Sequence, residues 1–222
     1  MQTRIIENHN DLIENPTPRC ACMVVLDTSA SMSGERITQL NEGFQTFLQA
    51  LHEDDMAACS VELGVITAGG RVDSALPLTS VLNIEQCATF RAGGMTPLGE
   101  AVNQALDELE ARKRQYRANG VPYYQPWMVL ISDGAPNDDW QDAARRAQQL
   151  AHNRKLVSLA IGVEDAEMQI LSEFSNRPAK RLQGLKFGEL FQWLSASLGA
   201  VSRSASTADR VALPPTDGWD SI

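Results

Sequence analysis

Met23-Val24-Val25-Leu26-Asp27-Thr28-Ser29-Ala30-Ser31 decides the fold. Four apolar residues run without a break, stop at an aspartate, and give way to hydroxyl side chains. A continuous rather than alternating run buries both faces of a strand, the habit of parallel strands in α/β sheets. The pattern recurs at Met128-Val129-Leu130-Ile131, which ends in Ser132-Asp133-Gly134. Val61–Thr67 and Val72–Leu78 predict two strands turning at Gly69-Gly70, and Leu156–Val163 predicts a fifth strand. Between them, apolar residues keep the helical i, i+3, i+4 rhythm over Ile37 to Leu51, Leu98 to Leu109, Ala143 to Ala151 and Phe187 to Val201. This alternation predicts a doubly wound α/β domain with a mostly parallel six-stranded sheet and helices on both faces.

Outside the predicted domain, 20–201, the composition changes. Residues 1–19 form a polar N-terminal extension in which Pro16 and Pro18 stop regular structure. Residues 202–222 are rich in Ser, Thr, Ala, Asp and Pro and read as a flexible C-terminal tail. Its last residues, Trp219-Asp220-Ser221-Ile222, are either part of a solvated arm or a short docking peptide. Among the 222 residues, 19 lysines and arginines against 28 acids give a net charge of −9. Nucleic acid and anionic membrane surfaces are therefore not expected partners. The longest apolar run, Cys20–Leu26, is seven residues, far below the ~18 that span a bilayer. The N-terminus carries no apolar signal-peptide core, so a cytoplasmic location is expected.

Cys20, Cys22, Cys59 and Cys87, with His9, His52 and His152, match no zinc-ligand spacing. Cys20 and Cys22 share one face of a strand. They read as reduced, buried thiols, with a redox pair or soft-metal site as the alternative.

In open α/β sheets, ligands bind beyond the carboxyl ends of strands. Asp27 and Asp133 stand there, Ser29 and Ser31 follow Asp27, and Gly93-Gly94-Met95-Thr96-Pro97 supplies a loop hydroxyl at Thr96. Two carboxylates and three hydroxyls make an all-oxygen set suited to Mg²⁺ or Mn²⁺. So few charges leave such a cation short of anionic ligands and open to a carboxylate from outside. Singly, each residue has an ordinary reading: Ser29, Ser31 and Thr96 as helix N-caps, Asp133 as a turn aspartate.

Asp-x-Ser-x-Ser at 27–31, with Thr96 and Asp133, resembles the metal-ion-dependent adhesion site of the von Willebrand factor A domain, over roughly residues 20–200. Leu26 to Gly34, Gly94 to Gly99 and Tyr123-Tyr124-Gln125-Pro126-Trp127 resemble its cytosolic bacterial tellurite-resistance branch, with Ala30 where that branch often has glycine. The resemblance implies metal ligation by Ser29, Ser31 and Thr96, with Asp27 and Asp133 acting directly or through water. It implies Mg²⁺, with Mn²⁺ or Ca²⁺ as alternatives, and a protein partner presenting Asp or Glu to the ion. It also implies coupling of the site to movement of the last helix, and company with kinases, phosphatases or other stress-operon components. The expected function is non-catalytic protein recognition. The alternatives are a metal-dependent phosphatase or phosphotransferase and a scaffold with a vestigial metal site.

Features expected of enzymes are missing. A haloacid-dehalogenase-type phosphotransferase has a second Asp where Ser29 stands. The first strand is not followed by Gly-x-Gly-x-x-Gly, and no phosphate-binding P-loop occurs. Arg112-Lys113-Arg114-Gln115-Tyr116-Arg117 reads as a solvated, dipole-complementing helix end, or else a patch for an acidic partner. Tyr123, Tyr124 and Trp127 either pack their loop onto the sheet or form a recognition patch. Asp138, Asp139 and Asp142 read as caps of a helix starting near Trp140.

Overall fold

The first long strand, β1 (Cys20–Asp27), is buried along its whole length. Its alternate side chains enter two separate cores. Cys20, Cys22, Val24 and Leu26 pack against helices α1 (Glu35–Glu53) and α6 (Phe187–Ser202). Ala21, Met23 and Val25 face α3 (Leu98–Ala118) and α4 (Gln141–His152). Burial on both sides is why the run is continuous instead of alternating. The computed structural model describes residues 3–6, 11–134 and 136–221. Residues 1–2, 7–10 and 222 of the predicted extension and tail, His9 among them, lie outside the described residues.

After β1 come α1, the short α2 (Asp55–Ser60), and the strands β2 (Val61–Gly69) and β3 (Arg71–Ser80). Helix α3 leads to β4 (Trp127–Ser132), and α4 to β5 (Val157–Val163). The short α5 (Met168–Ser172) leads to β6 (Lys180–Leu182), and α6 leads to β7 (Asp220–Ser221). The sheet order is β3-β2-β1-β4-β5-β6-β7. Contacts from β2 through β6 are parallel; β3 pairs antiparallel with β2, and β7 with β6. The expected six-stranded, mostly parallel α/β sheet is therefore present, extended by one two-residue strand. A separate ribbon pairs Arg4–Ile5 with Ile84–Gln86.

The chain winds outward from β1 through β2 to β3, then returns beside β1 and winds the other way through β4 and β5. That reversal puts the topological switch point between β1 and β4. In register, Leu26 lies beside Ile131, so Asp27 and the segment Ser132-Asp133 leave the sheet side by side. On the α1–α6 side, Gly43 lets two helices touch: a Cβ there would lie 2.9 Å from the Phe187 carbonyl carbon.

The last residues of the chain pack against their own domain. Trp219 is 2% exposed and its ring lies 5.4 Å from that of Trp193. Asp220 pairs with Lys180, and the Trp193 indole donates to the Pro214 carbonyl at 2.8 Å. Apolar burial of one indole and edge pairing hold the arm to its own domain, so Trp219 is not displayed as a docking peptide. Cys20 and Cys22 are free, buried thiols on one strand face. Burial pushes Cys20 up to about 12 and Cys22 well above the usual thiol range, the opposite of what a reactive thiolate needs.

The basic run at the end of α3 is not merely a solvated helix end. The Arg112 guanidinium grips the buried carboxylate of Glu62 on β2 at 2.5 and 2.8 Å, and the Tyr116 hydroxyl donates to it at 2.6 Å. Lys113 is itself buried and pairs with Glu110. Tyr124 and Trp127 are buried, packing their loop onto the sheet, and Tyr123 lies half-buried against Tyr116.

Candidate functional site

Asp27 ends β1 with its side chain buried. The Ser29 amide donates to its Oδ1 at 2.9 Å, and the Ser132 hydroxyl donates to Oδ2 at 2.5 Å. The Ser29 and Ser31 hydroxyls are 2.8 Å apart and hydrogen-bonded. Ser31 in turn donates to Asp133 Oδ1 at 2.7 Å. The Ser29 amide on Asp27 and the Ser29–Ser31–Asp133 run of hydrogen-bonded oxygens together connect the ends of β1 and β4. These atoms are not used as caps. Ser31 lies in a single 3₁₀ turn (Ala30–Met32), Ser29 stands at its N-cap position without a side-chain cap hydrogen bond, and α1 begins after Gly34.

Thr96 is brought to the same place by its backbone. The Ala30 amide donates to the Gly94 carbonyl at 2.9 Å, and the Gly93 amide to the Thr28 carbonyl at 2.8 Å. From the other side, the Asn137 amide donates to the Thr96 carbonyl at 3.1 Å. Thr96 thus sits between the loops that follow β1 and β4. It is not the N-cap of α3, a position taken by Pro97, and its hydroxyl makes no hydrogen bond among the described residues. Gly94 makes the approach possible. Its φ is +74°, and a Cβ would fall 2.4 Å from the Gly70 Cα. Of the expected acidic caps, Asp138 does cap a helix, but a different one: its carboxylate accepts from the Gly99 and Glu100 amides of α3 at 3.1 and 2.9 Å. Asp142 pairs with Arg145.

Burial pushes the Asp27 carboxyl above the usual carboxylate range. Hydrogen bonds from Ser132 and Ser29 pull it back, and the nearby Asp133 charge raises it further. Among the described residues no cationic side chain reaches Asp27. Asp133 differs: Arg36, in the first turn of α1, donates to its Oδ2 at 2.6 Å and to the Ser31 carbonyl at 3.0 Å. Arg36 also pairs with Glu164, at the end of β5. Burial works against the Arg36 charge, but Glu164 and Asp133 outweigh it and raise its affinity for its proton. Glu164 has φ +48°, unusual for a residue with a side chain, and its carbonyl accepts from Arg181. Sequence reasoning missed Ser132, Arg36 and Glu164 as members of the site. Ser132 was visible as the residue beside Asp133; the other two become neighbours only through the winding of the sheet.

Among the described residues no three His, Cys, Asp or Glu side chains form a metal-holding group. A cation held here would rely on hydroxyls. Two carboxylates with hydroxyls between them suit a hard, oxygen-seeking divalent ion, and the donor set is compatible with one.

Fold and site together define a doubly wound α/β domain with a carboxylate–hydroxyl cluster at its switch point. The family model for the von Willebrand factor type A domain matches residues 22–187, and the chain belongs to that family. A comparison with curated proteins found no match. Solved structures share the fold at low identity. One is a von Willebrand factor type A protein from Catenulispora acidiphila (14% identity, TM-score 0.60, covering 82% of this chain and 43% of that one). Another is proximal thread matrix protein 1 from the mussel byssus, with a zinc-occupied MIDAS motif (18% identity, TM-score 0.56, 82% and 48%). A third is the manganese-loaded TRAP protein of Plasmodium vivax (19% identity, TM-score 0.51, 72% and 64%). This chain spans less than half the length of the first two and under two thirds of the third.

Proposed function

We propose that the chain is a non-catalytic, metal-dependent protein-recognition module. Asp27, Ser29, Ser31, Thr96 and Asp133 hold a divalent cation, Mg²⁺ before Mn²⁺ or Ca²⁺, and a partner's Asp or Glu completes its shell. When bound, the ion supplies an anchor for that carboxylate. Asp27 and Asp133 provide the fixed negative charge, and Ser29, Ser31 and Thr96 provide neutral oxygens that leave the ion short of anions. The Ser132 hydroxyl and Ser29 amide orient Asp27, and Arg36 pairs with Asp133 and neutralises part of the cluster's charge.

One observation carries the reading: a buried aspartate held only by neutral donors and linked, through the Ser29 amide and the Ser29 and Ser31 hydroxyls, to a second aspartate. A buried carboxylate without a cationic partner is costly, and a cation removes that cost. The zinc and manganese named for two structural neighbours support a divalent ion in this fold. The stretches resembling the tellurite-resistance branch support a place in a bacterial cytoplasmic stress-response assembly beside kinases or phosphatases. No helix among the described residues is long and apolar enough to cross a membrane.

The test is affinity capture in Mg²⁺ followed by EDTA elution, with Asp27→Ala and Thr96→Ala baits beside the wild type. The reading expects a partner that elutes with EDTA and is lost from both variants. Capture unaffected by EDTA and by both substitutions overturns it. Metal-dependent hydrolysis of a generic phosphate ester would favour the phosphatase alternative instead.

A further inference from the structure

At the opposite end of the sheet, where β4 and β5 begin, lies an open groove of about 1220 Å³. Its walls are the C-terminal ends of α3 and α4, the loop around Arg177, and the arm at 207–213. Seven of the chain's 19 lysines and arginines line it, against two of its 28 acidic residues. In a protein of net charge −9 this is a strong reversal of sign.

The cations are of two kinds. Lys113, Arg117 and Arg146 are engaged by Glu110, the Tyr123 hydroxyl and Asp107 respectively. Arg154, Lys155, Arg177 and Arg210 are exposed, and among the described residues their side chains have no ion-pair or hydrogen-bond partner. Dipole complementation accounts for cations at the ends of α3 and α4, but not for Arg177 or Arg210, which stand on neither helix. Half-buried Leu150, Val157, Val211 and Leu213 add apolar lining between the charges. The groove exceeds the ~300–1,000 Å³ typical of small-molecule pockets.

We propose that this groove binds an acidic polypeptide segment of a partner, with aliphatic side chains interleaved between its Asp and Glu residues. The arginine forks pair with carboxylates, and the apolar patches take the aliphatic side chains. Mixed lining favours such a peptide over a bare phosphate or a hydrophilic polyanion. The groove is distant in the fold from Asp27 and needs no metal, so the proposal stands apart from the proposed function.

The test is fluorescence anisotropy of a labelled peptide of alternating Glu and Leu against the full-length chain in EDTA. Comparison probes are the same peptide with Gln for Glu, inorganic phosphate as competitor, and a labelled single-stranded oligonucleotide. The triple variant Lys155→Glu/Arg177→Glu/Arg210→Glu is set against the charge-matched Arg71→Glu/Arg91→Glu/Arg114→Glu, which alters exposed cations elsewhere. Binding should weaken about tenfold or more in the groove variant, little in the matched variant, and fall with added salt. No binding by the wild type, equal loss in both variants, equal binding of the Gln peptide, or tighter binding of the oligonucleotide or phosphate overturns the proposal.

Discussion

Two buried carboxylates on adjacent strands, Glu62 and Asp27, are treated in opposite ways. Glu62, on β2, is clasped by both arms of Arg112 and by the Tyr116 hydroxyl, with Arg19 Nε 3.8 Å away. Burial, with the adjacent Glu62 charge, drives the Tyr116 phenol far above its usual range, so it stays a donor. In this network the carboxylate's charge is answered by cations of the same chain. Asp27, at the far end of β1, receives only a serine hydroxyl and an amide. The same cost of burying a carboxylate is met internally in one place and left to an outside cation, or a proton, in the other. A fold that already has a way to neutralise a buried acid did not use it at the switch point.

The largest effect should come from opening the Glu62 network. Arg112→Met leaves Glu62 buried and without its guanidinium, at a cost of about 3–5 kcal/mol in urea unfolding. A loss below about 1 kcal/mol would mean that Glu62 is not the locked member of the pair. Next, Mg²⁺ at a hundredfold excess over its Kd should stabilise the wild type by about 2–3 kcal/mol in thermal melts. Asp27→Asn should remove that gain while folding normally in EDTA, because a neutral amide suits the buried site. A full Mg²⁺ shift in the variant would remove Asp27 from the ligand set.

A pH series sharpens the contrast further. Folding raises the Asp27 pKa, so the folded chain holds that proton more tightly than the unfolded chain does. Its stabilising contribution is complete in acid and is lost as pH rises through the carboxylate range and above. In EDTA the wild type should lose stability relative to Asp27→Asn over that interval; a relative gain would contradict the assignment. The smallest effect belongs to Arg36. It competes for Asp133 Oδ2, so Arg36→Ala should tighten Mg²⁺ binding in calorimetry by about fivefold, near 1 kcal/mol. Weaker binding would instead make Arg36 a support for the ligand geometry.

What the sequence made legible was whatever depends on nearby residues. The unbroken runs at 23–26 and 128–131 identify strands buried on both faces, and the helical rhythm identifies α1, α3, α4 and α6. The oxygen-bearing residues at strand ends follow from those assignments. What it hid depends on pairing across the fold. Lys180-Arg181-Leu182 has no strand-like apolar pattern and becomes β6 through its register with Ile161–Val163. Asp138 precedes α4 yet caps α3, and Trp219 finds its partner only because α6 presents Trp193 beside β6. Arg36 looks like an ordinary surface residue of α1 until Asp133 and Glu164 are placed on either side of it.

Mn²⁺ titration followed by electron paramagnetic resonance of the free ion probes the cluster itself. The wild type should take up one equivalent, displaceable by Mg²⁺, with Asp27→Ala and Thr96→Ala each binding much more weakly. Uptake by both variants indistinguishable from the wild type would show that these five oxygen-bearing side chains do not hold the ion.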